Sequence, residues 1–147
     1  MQTRVHEILQ HKGSDVLTIE PSATVYEAIA QMVDRNVGSI LVMEDDEIAG
    51  IFTERDYLRR IVLEGRTSKT TRVAEVMTAD VVWVDPGYTV EECMALMTDQ
   101  KCRHLPVLND GDLAGIISIG DCVKQASRTA QARAEELEKY ISGTYPA

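Results

Sequence analysis

A mixed α/β fold, built from two β-α-β-β-α copies packed with pseudo-two-fold symmetry, is predicted by three features of the sequence. Sliding the chain by 65 positions aligns residues 15–58 with 80–123 without a gap, and 15 of those 44 pairs are identical, where chance gives about three. Within each copy the apolar pattern runs from strand-like to helical spacing and back to strand-like. The punctuation repeats too, with Pro21 matching Pro86 and Gly50 matching Gly115.

The elements follow in order. The lead-ins, residues 3–9 and 71–77, resemble one another at a shift of 68, so the first copy carries three extra residues near 10–14. Residues 16–20 and 81–85 are apolar runs that stop at Pro21 and Pro86, which predicts a short strand in each copy. Thr24-x-x-Glu27 and Thr89-x-x-Glu92 are capping boxes, where hydroxyl and carboxylate satisfy amides left unpaired in a first helical turn. Val25, Ala28, Ile29, Met32 and Val33 follow at helical spacing, matched by Val90, Cys93, Met94 and Met97, and are expected in the core.

Residues 39–43 and 48–52, then 104–108 and 113–117, flank acidic or Gly-containing turns and predict two hairpins. A second helix is expected near Glu54 and near Ile119. The resulting organisation is repeat 1 at 3–63, a polar joint at 64–70, repeat 2 at 71–127, and a C-terminal helix and tail at 128–147. Neither half buries much apolar surface alone, so the copies are expected to share a core. Residues 124–141 carry Ala126, Ala130, Ala134, Leu137 and Ile141 near one face, which suits close packing on the same domain or on a partner subunit.

Composition narrows the function. The 24 acidic and 15 basic side chains give a net charge of −9, which disfavours a nonspecific nucleic-acid binder. The average hides a basic segment: residues 55–72 hold six basic and two acidic groups, net +4, and read either as a solvated helix face with a linker or as an attraction for a small anion. No apolar run reaches the ~18 residues of a membrane span, and no export signal is visible, so a cytoplasmic protein with no membrane partner is expected. Cys93, Cys102 and Cys122 lack C-x-x-C spacing and read as buried small apolar residues, and His6, His11 and His104 are scattered, so neither a disulfide framework nor a metal cluster is expected.

Thr53-Glu54-Arg55-Asp56 and Ser118-Ile119-Gly120-Asp121 occupy the same place in both copies, where a strand turns into a helix. A hydroxyl three residues before a carboxylate is an ordinary helix cap. It is also a setting in which free amides suit a phosphate and a carboxylate can accept from ribose hydroxyls.

With Arg103-His104-Leu105-Pro106-Val107 and the two G-h-h-[ST]-x-x-D endings at 50–56 and 115–121, the sequence resembles a tandem pair of cystathionine-β-synthase (CBS) domains over about residues 3–127. The resemblance implies a regulatory module, commonly a homodimer, that binds AMP, ADP, ATP, S-adenosylmethionine or NAD in clefts between the copies. It implies Asp56 and Asp121 on ribose hydroxyls, Thr53 and Ser118 on ribose or phosphate, and Arg55, Arg103 and His104 on phosphates. The adenine would lie near Thr18, Ile19, Val37, Gly38 and Ser39 in one cleft and near Trp83, Val84, Tyr88 and Arg103 in the other. Read as residues alone, Arg103 and His104 also suit a strand surface, and Trp83 suits core filling.

Thr18 becomes Trp83 in the second copy, Gly38-Ser39 becomes Arg103-His104, Leu41 becomes Pro106 and Arg55 becomes Gly120, so unequal clefts are expected. No activated nucleophile or acid/base pair is evident, which argues against an enzyme, including a Cys102-His104 hydrolase. The expected function is nucleotide sensing acting through dimer geometry or an unidentified protein target. The alternative is a purely structural dimerisation module without a nucleotide ligand.

Overall fold

The computed structural model describes residues 2–141, so the predicted tail at 142–147 lies outside it. The chain forms two compact units whose boundaries differ from those of the sequence repeats. One unit runs from Asp15 to Val82, and the other joins the residues up to Ser14 to those from Trp83 onward.

In the Asp15–Val82 unit, β1 (Thr18–Ile19) pairs in parallel with β2 (Ser39–Glu44) across helix α2 (Val25–Arg35), and β2 pairs antiparallel with β3 (Glu47–Thr53). The β2–β3 turn places Asp45 and Asp46 at φ 51° and 63°, a conformation that short polar side chains tolerate better than most. Val25, Ala28 and Met32 of α2 pack with Ile40, Val42 and Phe52 from the sheet. Val33, expected in this core, is 74% exposed. Thr24 caps α2 through the Glu27 amide at 3.1 Å, while the full reciprocal box forms at Thr89 and Glu92.

After β3 come a single turn, α3 (Glu54–Asp56), and a π-helical stretch over Tyr57–Val62. Helix α4 (Val73–Val76), the lead-in to the second repeat, packs here, burying Val73 and Val76 in the first repeat's core. Much of the basic segment holds this lead-in in place. Arg60 donates to the carbonyls of Val76 and Met77, both at 3.3 Å, Arg66 meets Glu75 at 3.3 Å, and Arg72 donates to Ser22 O.

The other unit repeats the plan with the first repeat's lead-in. Helix α1 (Val5–Lys12) supplies Val5 and Ile8 to its buried set, and Arg4 donates to Gly87 O at 2.6 Å, mirroring Arg72 on Ser22. Helix α5 (Val90–Gln100) precedes the hairpin of β4 (His104–Asn109) and β5 (Asp112–Ser118). Both hairpins are irregular at the same place, between Val42 and Met43 and between Val107 and Leu108.

The strand expected at 81–85 shrinks to one bridge, Val84 to Val107. Pro106 explains the loss: its counterpart Leu41 donates its amide to Leu17 O at 3.0 Å, a bond proline lacks the N–H to make.

Helix α6 (Ile119–Ile141) runs on from β5 without a break, merging the repeat's second helix with the C-terminal helix. Cys122 is buried and Gln125 and Thr129 are half-buried, whereas Ala126, Ala130, Ala134 and Leu137 are exposed. The small-residue stripe therefore does not pack on its own unit, and the Ile141 side chain lies outside the described set.

Candidate functional site

The two strand-to-helix corners carry the same local chemistry. At the first, the Thr53 amide and hydroxyl donate to Asp56 Oδ2 at 3.0 and 3.1 Å, and the Asp56 amide returns to Thr53 Oγ1 at 3.2 Å. At the second, the Ser118 amide and hydroxyl donate to Asp121 Oδ2 at 2.8 and 3.1 Å, and the Asp121 amide returns to Ser118 Oγ at 3.2 Å. The helix-cap and site readings thus share the same atoms.

The glycine that opens each motif has a packing role that the sequence does not reveal. A Cβ on Gly50 would lie 2.7 Å from Met77 Sδ and 2.8 Å from Thr78 O, and one on Gly115 would lie 2.7 Å from a Leu9 methyl. Each lead-in crosses a strand at its glycine and brings a polar side chain to the corner beyond.

Those side chains differ. Thr78 donates its hydroxyl to Asp56 Oδ1 at 3.2 Å, so both oxygens of this buried carboxylate have partners within the protein. At the other corner Lys12 Nζ lies 2.8 Å from Asp121 Oδ2, while Oδ1 receives no hydrogen bond from the described residues. Burial raises the Asp121 pKa, but the Lys12 hydrogen bond, the Ser118 amide and the Lys12 charge outweigh it, leaving the carboxyl below its ordinary range.

The surroundings of the two corners also diverge. Gly38 O accepts from the Glu54 amide at 3.1 Å, and Arg103 O from the Ile119 amide at 2.8 Å, so Arg103 stands where the first copy has no side chain. Arg103 is exposed and His104 half-buried; Arg55 is exposed, whereas its counterpart Gly120 has no side chain, and a Cβ there would lie 3.5 Å from Ser118 Oγ. Near the first corner Thr18 and Val37 are exposed, Gly38 is half-buried, and Ile19 and Ser39 are buried.

Near the second corner Trp83 is 52% exposed, which removes its core-filling reading. Tyr88 is half-buried. Val84 is fully buried, with its amide on Pro106 O and its carbonyl on the Leu108 amide. Lys12 and Thr78 were missed by the sequence reading because neither belongs to the repeated motif.

Reactive-thiol chemistry finds no support. Burial pushes Cys93 up to about 12 and Cys122 up to about 11, and raises Cys102 as well. Among the described residues no group of three or more His, Cys, Asp or Glu side chains could hold a metal ion, and no helix is long and apolar enough to cross a membrane.

The family model for the CBS domain matches residues 5–63 and 73–128. The chain belongs to the CBS-domain family. Among its relatives, the mitochondrial CBS domain-containing protein CBSX3 of Arabidopsis thaliana is 38% identical, over 97% of this chain and 74% of its own length. A proposed signal-transduction protein with CBS domains from Burkholderia ambifaria MC40-6 is 50% identical, with a TM-score of 0.83 over 84% of this chain and 93% of that one. A hexameric CBS-CP12 protein from bloom-forming cyanobacteria is 32% identical, with a TM-score of 0.76 over 84% of this chain and 67% of that one. CBS-domain proteins of this regulatory, signal-transduction kind are generally not catalytic.

Proposed function

We propose that this CBS-domain protein is a cytoplasmic regulatory module that binds an adenosine-containing ligand (AMP, ADP, ATP, S-adenosylmethionine or NAD), with the Asp121 corner as its higher-affinity site. The observation that carries this reading is the contrast between the two carboxylates. Asp56 is buried with both oxygens engaged, whereas Asp121 is half-buried and its Oδ1 receives no hydrogen bond from the described residues. Ser118 and Asp121 supply ribose contacts, Arg103 and His104 meet the phosphates, and Trp83 and Tyr88 flank the base. The Asp56 corner, with Thr53 and Arg55, takes the same ligand more weakly because a ribose must first displace Thr78.

A micromolar ligand requires about −8 kcal/mol, and a charge-assisted hydrogen bond supplies about 1.5–3 kcal/mol. Asp121→Ala therefore weakens binding roughly tenfold to a hundredfold, and Asp56→Ala much less. Titration calorimetry with AMP, ATP and NAD on both variants tests this, and equal losses sink the asymmetry. Mass spectrometry of small molecules released from protein purified without added nucleotide identifies the resident ligand.

Ligand occupancy acts on dimer geometry or on a protein target only through its different affinity for two states. Exposed Leu58, Val62 and Leu63 and the hexameric CBS-CP12 relative support self-association. A purely structural dimerisation module predicts that no nucleotide raises the melting temperature. A bound ligand at 100 times its dissociation constant adds about 2.7 kcal/mol of stability.

A further inference from the structure

Lys12 stands at the end of α1, outside every motif the two repeats share, yet its ammonium is fixed at the Asp121 corner. One N–H reaches Asp121 Oδ2 at 2.8 Å and a second reaches Ile116 O at 2.9 Å. A lysine ammonium carries three donors, and among the described residues the third has no acceptor. The Lys12 side chain is 33% exposed and that of Asp121 is 19% exposed, so solvent reaches both groups. Among the described residues the third Lys12 N–H and Asp121 Oδ1 thus both lack a hydrogen-bond partner, one able to donate and one to accept.

We infer that Lys12 is a specificity-determining residue of the Asp121 site, which with Asp121 selects ligands bearing a free vicinal ribose diol. This rests on the ribose reading of Asp121. One hydroxyl of a 2′,3′-diol donates to Asp121 Oδ1, and its neighbour accepts from Lys12. A deoxyribose leaves one or both protein groups without a partner in a partly desolvated corner, and unpaired polar groups of that kind are what allow hydroxyl-reading sites to reject analogues strongly. Asp56 cannot do the same, because its neighbour is the Thr78 hydroxyl, already spent on Asp56 Oδ1. Lys12 also pins Oδ2 against Ser118, so the carboxylate presents the same oxygen to each incoming ligand.

Calorimetric titration of the parent, Lys12→Met and Lys12→Arg with AMP and with 2′,3′-dideoxy-AMP provides the test. The parent binds AMP at least tenfold more tightly than the dideoxy compound. In Lys12→Met the ratio falls below about threefold, with AMP losing most of the affinity, and Lys12→Arg restores part of it. Melting curves establish that each variant is folded, and Lys12→Gln replaces the methionine variant if that one is not. A parent that fails to bind AMP, or binds both compounds equally, overturns the ribose reading. A parent that discriminates while Lys12→Met keeps the full ratio overturns the role of Lys12 alone.

Discussion

Lys12 Nζ and Asp121 Oδ2 lie 2.8 Å apart although 109 residues separate them in the chain. The pair fastens helix α1 to the corner between β5 and α6, within the unit that holds the second repeat. Its counterpart in the other unit is the neutral contact from Thr78 to Asp56. The two copies thus reuse one corner but meet its carboxylate with different groups on different oxygens, an ammonium on Oδ2 and a hydroxyl on Oδ1.

The Asp121 pair makes stability sensitive to acid. The folded-state pKa lies below the unfolded value of about 3.9. The stabilisation is therefore fully present above that value and is lost as pH falls through the folded one. Urea unfolding between pH 7 and pH 2 should show a loss in the parent that is smaller in Asp121→Asn. Identical pH profiles would remove the linkage.

The two motif glycines should differ in their tolerance of alanine. At Gly50 the new methyl meets a backbone oxygen, Thr78 O, as well as Met77 Sδ. At Gly115 its three nearest atoms all belong to the end of the Leu9 side chain, which can rotate away. Gly50→Ala is expected to cost about 1–3 kcal/mol and Gly115→Ala less, the latter recovered in part by Leu9→Ala. Chemical denaturation of the four variants measures the order, and a larger loss at Gly115 would contradict it.

Thr78→Val keeps the shape of the side chain but removes the donor to Asp56 Oδ1. The carboxylate is buried, so an unpaired oxygen there costs about 1–3 kcal/mol. An adenosine ligand at the first corner should recover part of that loss, giving Thr78→Val a larger ligand-induced rise in melting temperature than the parent. An unchanged rise would mean that Thr78 does not restrict this corner.

Much of the fold was legible because its signals are local. The capping residues Thr24 and Thr89, the hairpin turns and the paired carboxylates all lie within a few residues of the groups they organise. The errors arose where a distant residue decided the outcome. Pro106 withheld the ladder donor that a strand at 81–85 required, and Val33 sits on the helical stripe but faces away from the core.

The sequence by itself determined that the chain is two β-α-β-β-α copies of CBS type, that Asp56 and Asp121 occupy equivalent corners, and that substitutions such as Arg55 to Gly120 make those corners unequal. Only the tertiary structure decided which lead-in serves which repeat. Residues up to Ser14 join the second repeat, and Val73 to Thr78 join the first, placing Lys12 on Asp121 and Thr78 on Asp56. The physical reason is that periodicity reports which face of an element is apolar, whereas the partner of that face is fixed by close approach elsewhere. Here that approach is over Gly50 and Gly115, where a Cβ would run into Thr78 O and into the Leu9 side chain, respectively.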